Sequence, residues 1–425
     1  MEKKWTHAAL PALLIHLCVG TIYCWSTFKA AMAEAIGVSS LSVGWAFSLA
    51  IFFLGLAAAC AGPLVERDVR LCSLASCLCF TIGLAGTGLA IQYLSGRLAL
   101  GFVCFFYGAV MGAGLGVGYL VPVKTLMLWF RENPGLGAGI AISGFGLSKV
   151  LFTPLLGALL SRLGISGMFY VLALISFALM LPGHLLLRAP DAEPQPDPIA
   201  AKLALNLRSL PQFVGIWLVF FLNTHCGLMV IPYEKQLLGI AFSSSASAAT
   251  VVSVVPCLTA LCNVLGRLGC AALSDRVEER SGLYKLLFVC GVAVTMVAYL
   301  THAVSGAETL PLAAVLLLFL FVVNACYGGG FAVLPVLLSE RFGLERISQL
   351  HGLVLTAWAL AGLTGNNSSA FILRRTGMYE NVLLVCAALY AVALLICSVL
   401  VGTRAQQCVS MAASGQSRQD NSKAS

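Results

Sequence analysis

Apolar residues run through this chain in long blocks, each closed by a charge, a proline or a glycine. Twelve such runs stand out, at 7–28, 41–65, 71–96, 98–123, 135–161, 163–187, 209–233, 247–274, 286–307, 309–339, 347–373 and 381–403. A helix needs ~20 predominantly apolar residues to cross the hydrocarbon core of a bilayer. Each run reaches that length, so the pattern predicts an all-α membrane protein with twelve transmembrane helices. Between the sixth and seventh runs lies Arg188–Arg208, which contains APDAEPQPDP. This Pro- and Asp-rich piece reads as a linker (188–208) between a half at 1–187 and a half at 209–403. The Ser- and Gln-rich tail at 404–425 is polar and predicted to be disordered.

Composition sharpens the picture. The chain is 60% hydrophobic and 10% charged, with mean hydropathy +0.95. A soluble protein carries about 25% charged residues. No soluble core hides this much apolar surface, so the solvent is lipid. The net charge of +8 follows the tendency of Lys and Arg to collect in cytoplasmic loops, and implies no nucleic-acid partner. With the N-terminus inside, the cations on the opposite side are Lys29, Arg97, Arg162, Lys235, Arg374 and Arg375. The remainder outside the runs fall on the inner side, which predicts a multi-pass cell-membrane protein with both termini in the cytoplasm. The 16 cysteines mostly sit singly in apolar runs, where Cys behaves as a small hydrophobe, and no structural disulfide is expected. Met1–Lys4 is basic, but the apolar run after it is long, so it reads as a first span rather than a cleaved signal.

The run Ser247–Ser274 carries one charge, Arg267. A cation at membrane depth costs roughly 2.5 kcal/mol or more on insertion scales, and it usually faces an internal cavity and works there. Arginine keeps its proton and presents a fork of donors that matches a carboxylate two bonds at a time. Arg267 therefore predicts a site for a small organic anion. The other charge inside the runs is Lys149, midway along the fifth in GFGLSKVLFTPLL. If it faces the same cavity it supplies a second cation for a divalent anion; alternatively it snorkels to a headgroup. Asn263 precedes Arg267 by four residues, on the same helix face, and is placed either to orient the guanidinium or to make an interhelical hydrogen bond. A carboxylate held at one end needs apolar or aromatic walls around the rest. Tyr23, Trp25, Tyr119, Phe145, Tyr327 and Trp358 are the candidates, with lipid-facing placement as the alternative for each.

The two halves echo one another. GPLVERDVR, with Glu66–Arg67, follows the second run, and ALSDRVEER, with Asp275–Arg276, follows the eighth. YLVPVKTLMLWF ends the fourth run and AVLPVLLSERF the tenth. A repeat of six spans about an axis along the membrane normal is the architecture of major facilitator carriers. The acid–Arg loops resemble that superfamily's inner-gate motif, with Asp68 where a Gly is usual, and the resemblance implies that Glu66, Arg67, Asp275 and Arg276 gate the inner side. The alternative is that these charges serve topology alone.

Within the superfamily, GTIYCWSTF (Gly20–Phe28), GAGLGVGYLVPV (Gly112–Val123), WFRENPGLGAGIAISGFG (Trp129–Gly146) and NVLGRLGCAALSD (Asn263–Asp275) resemble the oxalate–formate antiporter family, which borders the monocarboxylate transporters. The resemblance implies a major facilitator fold and two ligands of the anion, an Arg on the eighth helix and a Lys on the eleventh. The Arg falls on Arg267; the Lys position holds Trp358. The monocarboxylate transporters carry an Asp four residues before that Arg, where this chain has Asn263, which does not titrate.

No Asp or Glu falls inside a run, and proton-coupled carriers usually bury a carboxylate. Anion exchange by alternating access is therefore expected, with proton-coupled symport of a lactate- or pyruvate-like monocarboxylate through His16, His225 or His351 as the alternative. A sensor that binds the anion on a carrier fold without moving it is the alternative from another class. The chain lacks H-E-x-x-H, a P-loop and zinc-spaced cysteines, so an enzyme, ATP drive and a cofactor are not expected. Its partners are expected to be the anion and the bilayer, and the carrier a monomer.

Overall fold

Gly164 turns a 53-residue helix, Pro134–Leu186, into two arms. Its backbone stands at φ 69°, ψ −179°, a conformation that glycine reaches without a Cβ penalty. The arms, 134–163 and 165–186, are each long enough to span a bilayer, and they correspond to the fifth and sixth apolar runs. A computed structural model describes residues 3–190, 210–242, 248–305, 310–344 and 346–401. Among these residues eleven helices are long and apolar enough to cross a membrane. With the kinked helix counted as two, they make twelve crossings.

In order the spans are α1 (Trp5–Ile36), α2 (Ser40–Arg67), α3 (Val69–Tyr93), α4 (Gly96–Trp129), the arms α5 and α6, α7 (Leu210–Val230), α8 (Thr250–Ser274), α9 (Ser281–Val304), α10 (Leu312–Phe342), α11 (Ile347–Thr376) and α12 (Glu380–Val401). Most of the expected linker 188–208, and the whole expected tail 404–425, lie outside the described residues. Pro122 and Pro335 sit inside α4 and α10 at matching places in the two halves. Such prolines are tolerated in spanning helices because neighbours satisfy the freed backbone groups.

The halves meet along two seams, α2 against α11 and α5 against α8. Large apolar side chains such as Leu174 and Leu395 stand exposed on the outside of the bundle, as a lipid solvent requires. His7 accepts a backbone hydrogen bond from Arg188, and a side chain added at Gly215 would meet Leu400. The starts of α1 and α7 and the ends of α6 and α12 thus share one face, here termed the terminal face.

The helical geometry of α1 changes at the point nearest the centre. Residues Gly20–Cys24 form a 3-10 turn between two α-helical stretches. A Cβ at Gly20 would collide with the Phe145 carbonyl oxygen, so glycine is what lets α1 press onto α5. The tightened turn carries Tyr23 toward the middle of the bundle.

Candidate functional site

A cavity of about 300 Å³ lies between the halves and opens on the face opposite the termini, where Lys29 and Gly44 form part of its rim. The volume is at the lower end of ~300–1,000 Å³ for small-ligand sites. Six of the expected residues line it, among them Tyr23 on α1, Lys149 on α5, Asn263 on α8, Tyr327 on α10 and Trp358 on α11. The sixth is Trp25, on α1.

Arg267 lies directly beneath this layer and is 0% exposed. Its Nε donates to Asn263 Oδ1 at 2.8 Å, and Nη1 donates to the Ile142 carbonyl of α5 at 3.1 Å. Nη2 reaches Tyr23 Oη at 3.5 Å, the longest of the three contacts and at the limit of a useful hydrogen bond. The guanidinium carbon is 5.0 Å from the Phe331 ring centre and 5.9 Å from that of Phe145. Aromatic faces so placed attract a cation. Every hydrogen-bond acceptor on Arg267 is neutral. Asn263 takes the orienting role, and Tyr23 stands between the guanidinium and the cavity.

Tyr119 and Phe145 are both fully buried and do not line the cavity. They belong to a floor one layer deeper. The Phe145 ring centre is 5.1 Å from that of Tyr23, 5.5 Å from Tyr119 and 6.0 Å from Trp358. The floor continues through Tyr119 to His16 and His351. His16 is held by the carbonyls of Ala141 and Tyr119, and His225 pairs with Thr364 Oγ1 at 3.0 Å. None of the three span histidines reaches the cavity wall.

The expectation that no carboxylate reaches the site is corrected. Glu234 follows the seventh apolar run by one residue. The turn Ile231–Tyr233 carries it into the helix Glu234–Ala241, and its side chain lines the cavity at 2% exposure. Thr259 Oγ1 donates to Oε2 at 3.0 Å, and Asn324 Nδ2 donates to Oε1 at 2.7 Å. Burial pushes its carboxyl pKa up from the ordinary value, and Lys149, bordering the same cavity, opposes that shift. Reading the run boundary as a membrane boundary missed this residue. Buried donors at Thr259 and Asn324 draw it inward, and they come from spans that the sequence alone does not align with it.

The terminal face is closed by two carboxylates related by the internal repeat. Asp275, just past α8, accepts from the backbone N–H groups of Gly135 and Leu136 at 2.8 Å each, capping the start of α5. Glu66, at the end of α2, accepts from Ser348 N at 2.6 Å, capping the start of α11. Each acid thus reaches a helix N-terminus in the other half, where partial positive charge collects. The other Glu66 oxygen pairs with Lys124 at 2.6 Å. Arg67 and Arg276 point outward, are exposed, and take no part in these contacts. Lys124, in place of the neighbouring arginines, is the cation that the sequence reading missed.

The sequence model of the Major Facilitator Superfamily matches residues 12–366. The chain belongs to this superfamily. As a member of it the protein is a membrane transporter of small molecules, not an enzyme. Among its relatives is the oxalate:formate antiporter of Oxalobacter formigenes, 24% identical, with 89% of this chain and 87% of that one covered. Another is apicoplast pyruvate carrier 1 of Toxoplasma gondii, also 24% identical, over 83% of this chain and 81% of that one. A solved structure of a major facilitator proton:xylose symporter, bound to 6-bromo-6-deoxy-D-glucose, superposes with TM-score 0.73 at 14% identity, covering 92% of this chain and 95% of that one. At that identity the match speaks for the fold alone.

Proposed function

We propose that this transporter carries a small organic anion, a short mono- or dicarboxylate, by alternating access and chiefly by anion exchange. The observation that carries the reading is Arg267: a fully buried guanidinium whose ligands are an amide, a carbonyl and a phenol. An unpaired buried charge is costly to occlude, and an anion that neutralises it removes the cost. An empty site therefore resists crossing and a loaded one crosses, which is exchange. The long Tyr23 contact is the one an incoming carboxylate displaces, so that two oxygens meet the fork from the cavity side. The aromatic wall of Tyr23, Tyr327 and Trp358 then encloses the remainder of the substrate.

The printed names of the Oxalobacter and Toxoplasma relatives, an oxalate:formate antiporter and a pyruvate carrier, support small carboxylates as the cargo. The distribution of Lys and Arg supports both termini in the cytoplasm, which makes the described cavity outward-facing. The bodies that rock are the halves 1–187 and 209–403, joined by a cytoplasmic 188–208, and the acids Glu66 and Asp275 latch the inner side until the anion binds. One chain holds the whole site, so a monomer suffices.

Counterflow in proteoliposomes is the test. Vesicles preloaded with an unlabelled short carboxylate should accumulate the labelled one, and Arg267→Ala should abolish this with membrane insertion intact. Binding without counterflow would instead favour a sensor. Glu234 favours a second reading, proton symport, because it places a carboxyl in the cavity wall. Counterflow that persists after the pH gradient is collapsed supports exchange; strict dependence on the gradient supports symport.

A further inference from the structure

Three formal charges of mixed sign converge on the central site: Lys149 and Glu234 in its wall and Arg267 beneath it. Both Glu234 oxygens are already engaged, one by the Thr259 hydroxyl and one by the Asn324 amide. These partners are neutral. They fix the carboxylate without cancelling its charge, and a buried charge without compensation is strongly unfavourable. The cation acting on it is Lys149. The two are not in ion-pair contact, and each borders the same small space, so a ligand entering that space experiences both. Lys29 stands further out on the rim, half-buried beside Gly44, where water and salt screen it.

We infer that Glu234 offsets Lys149, so that the site presents the single positive charge of Arg267 and selects monovalent over divalent carboxylates. This deepens the anion-carrier reading and rests on it. Arg267 and Asn263 lie one turn apart on α8, and Thr259 lies one turn beyond Asn263. Thr259, which holds the Glu234 carboxylate, is thus about 12 Å from Arg267 along the helix axis, backbone to backbone, at ~1.5 Å per residue, and the Arg267 side chain spans part of that distance by reaching back to Asn263. A monoanion seated on Arg267 leaves the cavity neutral. The second carboxylate of a dianion extends upward, toward Lys149 but also toward Glu234, and the like charge opposes it. The residue thus sets substrate valence without touching the first carboxylate.

The test uses the full-length protein in proteoliposomes at pH 7, with counterflow of labelled pyruvate competed by formate and pyruvate as monoanions and by oxalate as dianion. The wild type should be inhibited by the monoanions at roughly tenfold lower concentration than by oxalate. Glu234→Gln should shift the ratio toward oxalate by ~10-fold or more, the size expected for one unit charge removed at this range. Lys149→Gln should weaken oxalate more than the monoanions, because the uncompensated Glu234 then acts on two charges instead of one. The double variant Lys149→Gln/Glu234→Gln should regain the wild-type preference. Glu234→Asp keeps the charge and should keep the preference, and size-exclusion profiles confirm folding of each variant.

The inference is overturned by a wild type that prefers oxalate, by a Glu234→Gln ratio that stays unchanged, or by a double variant that stays as impaired as Lys149→Gln. Absence of wild-type counterflow with all three anions would be a different result. It would overturn the anion-carrier reading itself, and the valence inference with it.

Discussion

Arg267 and Asn263 stand one helical turn apart on α8, and the guanidinium Nε–H donates to the amide oxygen at 2.8 Å. The pairing orients the charge and leaves it uncancelled. A carboxylate in the amide's place would orient the guanidinium and cancel its charge as well. Asn263→Asp should therefore create a permanent ion pair, lower anion affinity by at least ~10-fold, and let the empty carrier return. Uptake kinetics give the first outcome; net efflux into anion-free buffer gives the second. Unchanged affinity would mean that the anion does not use this guanidinium.

Tyr23 Oη sits 3.5 Å from Arg267 Nη2 and 3.4 Å from Tyr327 Oη. Both contacts are long, and weak hydrogen bonds add little net stability. Tyr23→Phe should change KM less than about threefold, whereas Arg267→Lys should abolish transport because the planar fork is lost. A Tyr23→Phe loss as large as that of Arg267→Lys would make the phenol a primary ligand.

Lys124 and Glu66 form a 2.6 Å ion pair with side chains 8% and 12% exposed. Removing one partner of a buried pair costs about 3–5 kcal/mol, since the other charge is left uncompensated. Glu66→Gln should lower the thermal unfolding temperature in detergent, and Glu66→Gln combined with Lys124→Met should recover most of the loss. Additive losses in the double variant would show that the two residues act separately.

Asp275 holds the first turn of α5 through Gly135 N and Leu136 N, across the boundary between halves. A charge on a helix N-terminus is worth ~0.3–2 kcal/mol. Asp275→Asn should shift the population toward an open terminal face. Cys257 is exposed in the cavity wall, so its labelling by a membrane-impermeant maleimide, read by mass spectrometry, should slow by up to ~10-fold as the cavity closes. Arg276→Ala should leave the rate unchanged, because that side chain is exposed and lies outside the contact.

How far the chain can be read residue by residue depends on where the determining neighbours lie. Each spanning helix carries its own evidence, a run too apolar for water, and the kink at Gly164 altered the number of separate helices without altering the number of crossings. The acid–Arg loops were legible as a repeated feature. Their working members were not, because Glu66 finds its backbone partner at Ser348, 282 residues away. Tyr119 and Phe145 are aromatic residues on the expected spans, but the rotation of α4 and α5 puts them in the floor instead of the wall.

The sequence by itself determined the lipid solvent, the twelve crossings, the echo between the halves and the lone cation, Arg267, in the eighth run. These follow from transfer energies of single side chains and local runs, which need no partner to be evaluated. Tertiary structure decided that Glu234 enters the cavity, that Asn263 spends its oxygen on Arg267, and that Asp275 and Glu66, without their neighbouring arginines, close the terminal face. Those outcomes are pairwise: a carboxylate goes where donors from other helices meet it, and only packing those helices together brings the Glu234 donors to 3.0 and 2.7 Å.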